Sequence, residues 1–191
     1  MMRQRTDPCQ QSKTPEKSLG SFNSNLHGWL RDLVIAIGLA LIIVIYLYQP
    51  VRVEGVSMLP HLEDQERIFV NKFVYRFKPI QRGDVVVFSY PLDPDRFFIK
   101  RVIGLPGETV QIRNGRVFIN GAELKESYVP RKFLSPENDP PVAVIAGHFY
   151  VLGDHRNSSN DSRFWGLVPR QNIYGKAALR YWPLEKISLI H

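Results

Sequence analysis

From Leu33 to Tyr48 the chain runs sixteen residues without a charge or a proline, LVIAIGLALIIVIYLY, and no polar position recurs at a helical period within it. Trp29–Leu30 and Val51 extend the apolar stretch beyond Arg31–Asp32 and Gln49–Pro50. A helix crosses a bilayer with ~20 apolar residues, and Trp29, Tyr46, Tyr48 and a snorkelling Arg31 suit its interfacial ends. The following YLYQPVRVEG lacks the small-residue Ala-X-Ala pattern of a removed leader. The pattern therefore predicts an uncleaved transmembrane anchor over 29–49. Residues 1–28, rich in Ser, Gln, Asn and Lys and without apolar periodicity, are expected to form an irregular tail. Basic residues ahead of the span orient it with 1–28 in the cytoplasm and 50–191 extracytoplasmic.

Past Val51 the pattern changes to short apolar runs broken by Gly, Pro, Asn and Asp. ERIFV, DVVVFSY, RFFIKRVI, TVQIR, RVFIN, HFYVL and KAALRYW read as strands, and Asn114-Gly115 between TVQIR and RVFIN marks a tight hairpin. No segment there sustains a 3.6-residue period over three turns. The fold class expected is mainly β, an antiparallel sheet or barrel-like domain behind a single N-terminal transmembrane helix. The proline-rich segment 130–141, PRKFLSPENDPP, reads as an exposed loop.

Composition narrows the partners. The net charge is +7, but it is spread along the chain: five basic and three acidic residues precede Leu33, and 20 basic and 15 acidic follow. No basic stripe with interleaved aromatics emerges, which argues against nucleic acid and fits a protein working beside anionic lipid headgroups. Cys9 is the sole cysteine, so no disulfide or thiolate metal site forms within the chain. No His/Asp/Glu spacing suggests a metal centre and no Gly-rich phosphate cradle occurs.

Ser57, in EGVSMLPHL shortly after the apolar run, is a candidate nucleophile in need of a base. His61, His148 and His155 are candidates for that role. So is Lys100, which strand alternation in RFFIKRVI places on one face with Phe98 and Val102. Apolar neighbours favour a neutral amine, although acting as a base requires its pKa to fall from ~10.4 to about 8, at a cost of ~3 kcal/mol. A third stretch, GDHRNSSNDSR at 153–163, gathers hydroxyls, carboxylates and guanidiniums directly after the strand HFYVL. By itself it reads equally as a polar turn.

Four stretches in order, GVSMLP behind the apolar run, RGDVVVF at 82–88, FFIKRVIGLPGE at 97–108 and GDHRNSSNDSR, resemble the type I signal (leader) peptidase family. The resemblance covers about residues 30–182. It implies a serine–lysine dyad with no metal or other cofactor: Ser57 as nucleophile and Lys100 as general base. It further implies that Ser159 orients the lysine, that Asp161 and Arg163 brace the site, that Gly153 allows a close backbone approach and that Met58 packs. The implied substrates are signal-peptide-bearing preproteins with small residues at −1 and −3, met at the cell (inner or plasma) membrane. Val56, Phe98 and Val102 are expected to line the pockets. The chain departs from the family where Gly55 replaces a serine found in some members, where His61 follows the proline, and where His155 and Ser158 occupy positions often held by asparagine. Against this stand a self-cleaving repressor-type peptidase, which would need a DNA-binding domain, and an inactive membrane-anchored binding protein, which would not need both Ser57 and Lys100.

Overall fold

The computed structural model describes residues 20–190, the side chains of 20–27 and 43–45 excepted, and falls into two compact units that divide between Ile43 and Val44. The first is carried by helix α1 (Gly20–Leu47). No proline interrupts residues 16–49, and the helix stops two residues before Gln49, whose place ahead of Pro50 disfavours the α conformation. It begins earlier than the expected boundary at 29, so residues 20–28 are helical; residues 1–19 lie outside the described ones. Beyond the exposed Arg31–Asp32 pair, Val34, Ile35, Ile37, Leu39, Leu41 and Ile42 are all exposed, so α1 is apolar on every side from residue 33 to 42. The apolar run passes through 43–45, and among the described residues no helix is long and apolar enough to cross a membrane.

The second unit is built of strands β1 (Tyr48–Arg52), β2 (Arg67–Asn71), β3 (Val85–Tyr90), β4 (Asp93–Gly104), β5 (Thr109–Arg113), β6 (Arg116–Ile119), β7 (Ala122–Glu123), β8 (Asp139–Ala143), β9 (His148–Leu152), β10 (Val168–Pro169), β11 (Ile173–Trp182) and β12 (Ser188–Leu189). Two four-residue helices, α2 (Val74–Phe77) and α3 (Ser162–Trp165), complete it. One sheet runs β1-β2-β11-β3-β4-β9-β10, with β12 beside β11; the other runs β7-β6-β5-β8. The barrel-like expectation gives way to two open antiparallel sheets, since β1 and β10 end the path of the larger sheet unpaired with each other.

Both faces of the large sheet are buried. Val85 and Val87 of β3 pack with Val53, Met58, Leu62 and Val70, whereas Val86 and Phe88 pack with Val102, Val151 and Val168. This double burial is why DVVVFSY reads as a continuous apolar run rather than an alternating one. The small sheet closes a third cluster of Ile103, Val110, Val117, Val144, Tyr150 and Leu152. Its β5–β6 turn places Asn114 and Gly115 at φ 49° and 73°, the left-handed pair a two-residue hairpin demands. The expected loop at 130–141 is corrected at its end: Asp139–Ala143 form β8, whose prolines are tolerated because it is the edge of the small sheet. β1, which carries Pro50, is likewise an edge strand.

The two sheets meet at Gly104, the last residue of β4. A Cβ there would stand 2.4 Å from Val110 Cγ2, 2.9 Å from Tyr150 Cβ and 3.0 Å from Val144 Cγ2. Gly104→Ala is therefore expected to destabilise the fold by about 1–3 kcal/mol through overpacking, read as a lower urea midpoint; an unchanged midpoint would mean the junction yields freely.

Candidate active site

Ser57 stands on the connection between β1 and β2. Val53 bonds back to both Glu66 and Gln65 (Val53 N–H to Glu66 C=O, 2.8 Å; Gln65 N–H to Val53 C=O, 2.9 Å), and Asp64 accepts the Gly55 N–H at 2.8 Å. Gly55 takes φ +90°, which turns the chain before the serine. A turn follows, closed by Leu62 N–H to Met58 C=O at 2.9 Å. Met58 and Leu62 are buried in the core while Val56 is exposed, so the two apolar side chains pin the turn and leave the serine at its rim. Met58 thus packs, as expected.

Lys100 lies in β4, paired with Val86 of β3. Its flanking residues Phe98 and Val102 pack into one cluster, and its Nζ lies 5.3 Å from the Phe98 ring centroid. Only 4% of Lys100 is exposed. Nζ donates to Ser57 Oγ at 2.8 Å and to the Ile99 carbonyl at 3.1 Å. Burial lowers the amine from its ordinary 10.5 to about 8, against the opposing pull of the Asp161 and Asp154 charges. Of the candidate bases, only Lys100 touches the serine hydroxyl. His148 bonds the Ala146 carbonyl instead, and neither it nor His61 lines the cleft at Ser57.

The loop 153–163 is packed against this pair. Gly153 has no room for a side chain, since a Cβ would stand 2.2 Å from Ser159 Oγ and 2.5 Å from the Ser57 carbonyl. Asp161 is fully buried; it caps α3, accepts the Gly153 N–H at 3.1 Å and forms a two-pronged pair with Arg163 at 2.8 and 2.9 Å. Arg163 also donates to the Arg156 and Ser159 carbonyls at 2.6 and 3.3 Å, so the pair fastens loop backbone. Ser159 Oγ is buried and has no hydrogen-bond partner among the described residues, Lys100 Nζ included.

Two further ion pairs escaped the sequence reading. Arg101, beside the lysine, grips Asp154 at 2.9 and 2.7 Å, with both side chains almost wholly buried. Arg156 grips Glu126 with two hydrogen bonds and donates to the Gly153 carbonyl at 3.0 Å. Arg101 and Asp154 each adjoin a residue of interest in sequence, but Glu126 lies thirty positions from Arg156 and its neighbours gave no signal. A cleft of about 430 Å³ opens over the dyad, lined among others by Val56, Phe97, Phe98, Ile99, Ser158 and Asn160. Val56 and Phe98 stand where expected; Val102 does not, being fully buried in the core behind the cleft.

Burying Lys100 has a stability cost whose sign is fixed. Because its folded pKa lies below its unfolded one, the unfolded chain binds more protons between about pH 8 and 10.5, and stability rises with pH across that window. Below it the full penalty of about 3 kcal/mol stands. Lys100→Met, of similar volume, is expected to raise the unfolding free energy at pH 7 by about 1–3 kcal/mol and to flatten that rise. Denaturant titration at several pH values checks both effects; a destabilised variant would show that the buried amine is a net stabiliser.

Residues 26–182 match the family model described as signal peptidase, peptidase S26. The chain is 42% identical to signal peptidase I of Leptolyngbya laminosa, with 96% of this chain and 91% of that one covered. It is 42% identical to a probable signal peptidase I-1 of Synechocystis sp., covering 81% of each. Against signal peptidase I of Bacillus licheniformis the identity is 37%, over 91% of this chain and 97% of that protein. With a serine and a buried lysine in contact at the rim of a cleft and this likeness along nearly its whole length, the chain belongs to the signal peptidase family, peptidase S26.

Proposed function

We propose that this chain removes signal peptides from exported preproteins as a membrane-anchored endopeptidase, with Ser57 as nucleophile and Lys100 as its general base. The observation that carries the assignment is the 2.8 Å contact between Ser57 Oγ and a lysine amine lowered to about 8. Neutral Nζ takes the hydroxyl proton as Oγ attacks the scissile carbonyl. The resulting ammonium returns that proton to the departing amine nitrogen, leaving an acyl ester on Ser57. Water, deprotonated by the again neutral Nζ, then hydrolyses the ester and regenerates the serine. The oxyanion falls to the Ser57 backbone N–H, since Gly55 offers no hydroxyl. The orienting role of Ser159 toward the lysine is proposed from the family resemblance alone, since its buried hydroxyl has no hydrogen-bond partner among the described residues. Asp161, Arg163 and Gly153 hold the loop that carries it.

Substrate binding follows from exposed strand edges. β9 pairs with β4 only from Arg101 to Gly104, so the Phe97–Lys100 edge beside the cleft is open to an extended peptide. The apolar lining at Val56, Phe97 and Phe98 suits small apolar residues at −1 and −3. The anchor reading is supported by α1, whose exposed apolar side chains find a natural solvent in lipid. Ser57 lies nine residues beyond Tyr48, at most ~32 Å of extended chain, which keeps the nucleophile within reach of a cleavage site still tethered by its own signal peptide. The tail is assigned to the cytoplasm and the catalytic domain to the far side.

In lipid, with an Ala-X-Ala preprotein, folded Ser57→Ala and Lys100→Ala are each expected to lose at least about 10³-fold in kcat/KM. The wild-type value should rise about tenfold per pH unit below pH 8 and level off above it. Wild-type cleavage by either folded variant would remove the dyad from the mechanism.

A further inference from the structure

His155 sits against the nucleophile without touching its hydroxyl. Its backbone N–H donates to the Ser57 carbonyl at 3.1 Å, and its Nδ1 lies 3.0 Å from the Val56 carbonyl. A carbonyl only accepts, so Nδ1 carries the hydrogen there. The imidazole is steadied from the other side by Phe133, with ring centroids 4.1 Å apart. Phe133 belongs to a 3₁₀ turn over Arg131–Phe133, within a segment whose sequence promised only an exposed loop.

The Val56 carbonyl belongs to the same peptide unit as the Ser57 N–H. That unit is trans, so its C=O and N–H point in opposite directions. The oxygen is held twice, by His155 Nδ1 and by the Leu59 N–H at 3.1 Å. Its N–H has no hydrogen-bond acceptor among the described residues. A hydrogen bond at the carbonyl also polarises the peptide and strengthens its N–H as a donor.

We infer that His155 is a positioning residue for transition-state stabilisation: by holding the Val56 carbonyl it aims and polarises the Ser57 N–H that receives the oxyanion. The inference rests on Ser57 being the nucleophile. What it requires of position 155 is a side-chain N–H donor at the Val56 oxygen, not a titrating ring. An asparagine amide meets that requirement; a phenylalanine keeps the contact with Phe133 and lacks the donor.

The test compares His155→Phe and His155→Asn with wild type and Ser57→Ala, all in the same lipid and on the same Ala-X-Ala preprotein. His155→Phe is expected to lose about tenfold in kcat, less than the 10²–10³ of deleting an oxyanion donor outright, with KM within about twofold. A peptide boronate, which forms a tetrahedral adduct on the serine, should bind this variant about tenfold more weakly. His155→Asn should recover kcat to within about threefold of wild type. A His155→Phe with wild-type kcat, a His155→Asn as impaired as His155→Phe, or a loss confined to KM would each overturn the inference. Cleavage by Ser57→Ala would instead remove the nucleophile assignment on which it stands, an outcome the same assay separates from the others.

Discussion

A lysine amine kept out of water beside a serine hydroxyl is the constraint around which this domain is arranged. Serine is a poor nucleophile, and a solvated lysine near 10.5 holds its proton too firmly to activate it at neutral pH. In the proposed mechanism, one act of burial meets both problems. With 4% of Lys100 exposed, the charged form loses its hydration and the amine falls to about 8, while the 2.8 Å contact keeps it against the serine hydroxyl. The carboxylates of Asp161 and Asp154 oppose this fall, yet each is engaged by its own arginine, Arg163 and Arg101. Desolvation wins because the nearest negative charges are already partnered.

The rest of the fold supplies the dry surface and the rigidity. β4 sits inside the larger sheet, where Lys100 pairs with Val86 of β3 and the stretch just after it, from Arg101, pairs with β9, which fixes the lysine's backbone. The serine rides on a turn whose neighbours Met58 and Leu62 are sunk in the core. The loop 153–163 covers the pair and is itself pinned by three arginine–carboxylate pairs, two of them reaching across the chain to Arg101 and Glu126. Buried pairs of this kind add little net stability, but they hold backbone in place, and here the backbone they hold includes Gly153, whose missing side chain lets the loop close onto the Ser57 carbonyl. His155 extends the same loop onto the peptide just ahead of the nucleophile.

Much of this was legible in the residues. Local signals worked where local physics governs: Asn114-Gly115 set a hairpin, TVQIR and HFYVL coincide with β5 and β9, and Lys100 among apolar strand neighbours announced a perturbed amine. Signals failed where the outcome depends on distant partners. The double proline at 140–141 hid β8, because edge strands accept what central strands refuse. Barrel closure could not be judged from strand patterns, which say nothing of whether the outer strands meet. Glu126 gave no hint, since its role exists only once Arg156 is brought to it, and Val102 was assigned to the cleft because alternation fixes a face and not a depth. His155, weighed as a base, is set against a carbonyl instead.

The proposed dyad stands most directly on the protonation of one amine. Titration of the Lys100 side chain by NMR, with the lysine Cε carbons isotopically labelled and the resonance assigned by its loss in Lys100→Met, measures it without relying on turnover. Burial beside Ser57 predicts an apparent pKa near 8. A value at the ordinary 10.5 would contradict it, leaving the amine charged at neutral pH and Ser57 without its base.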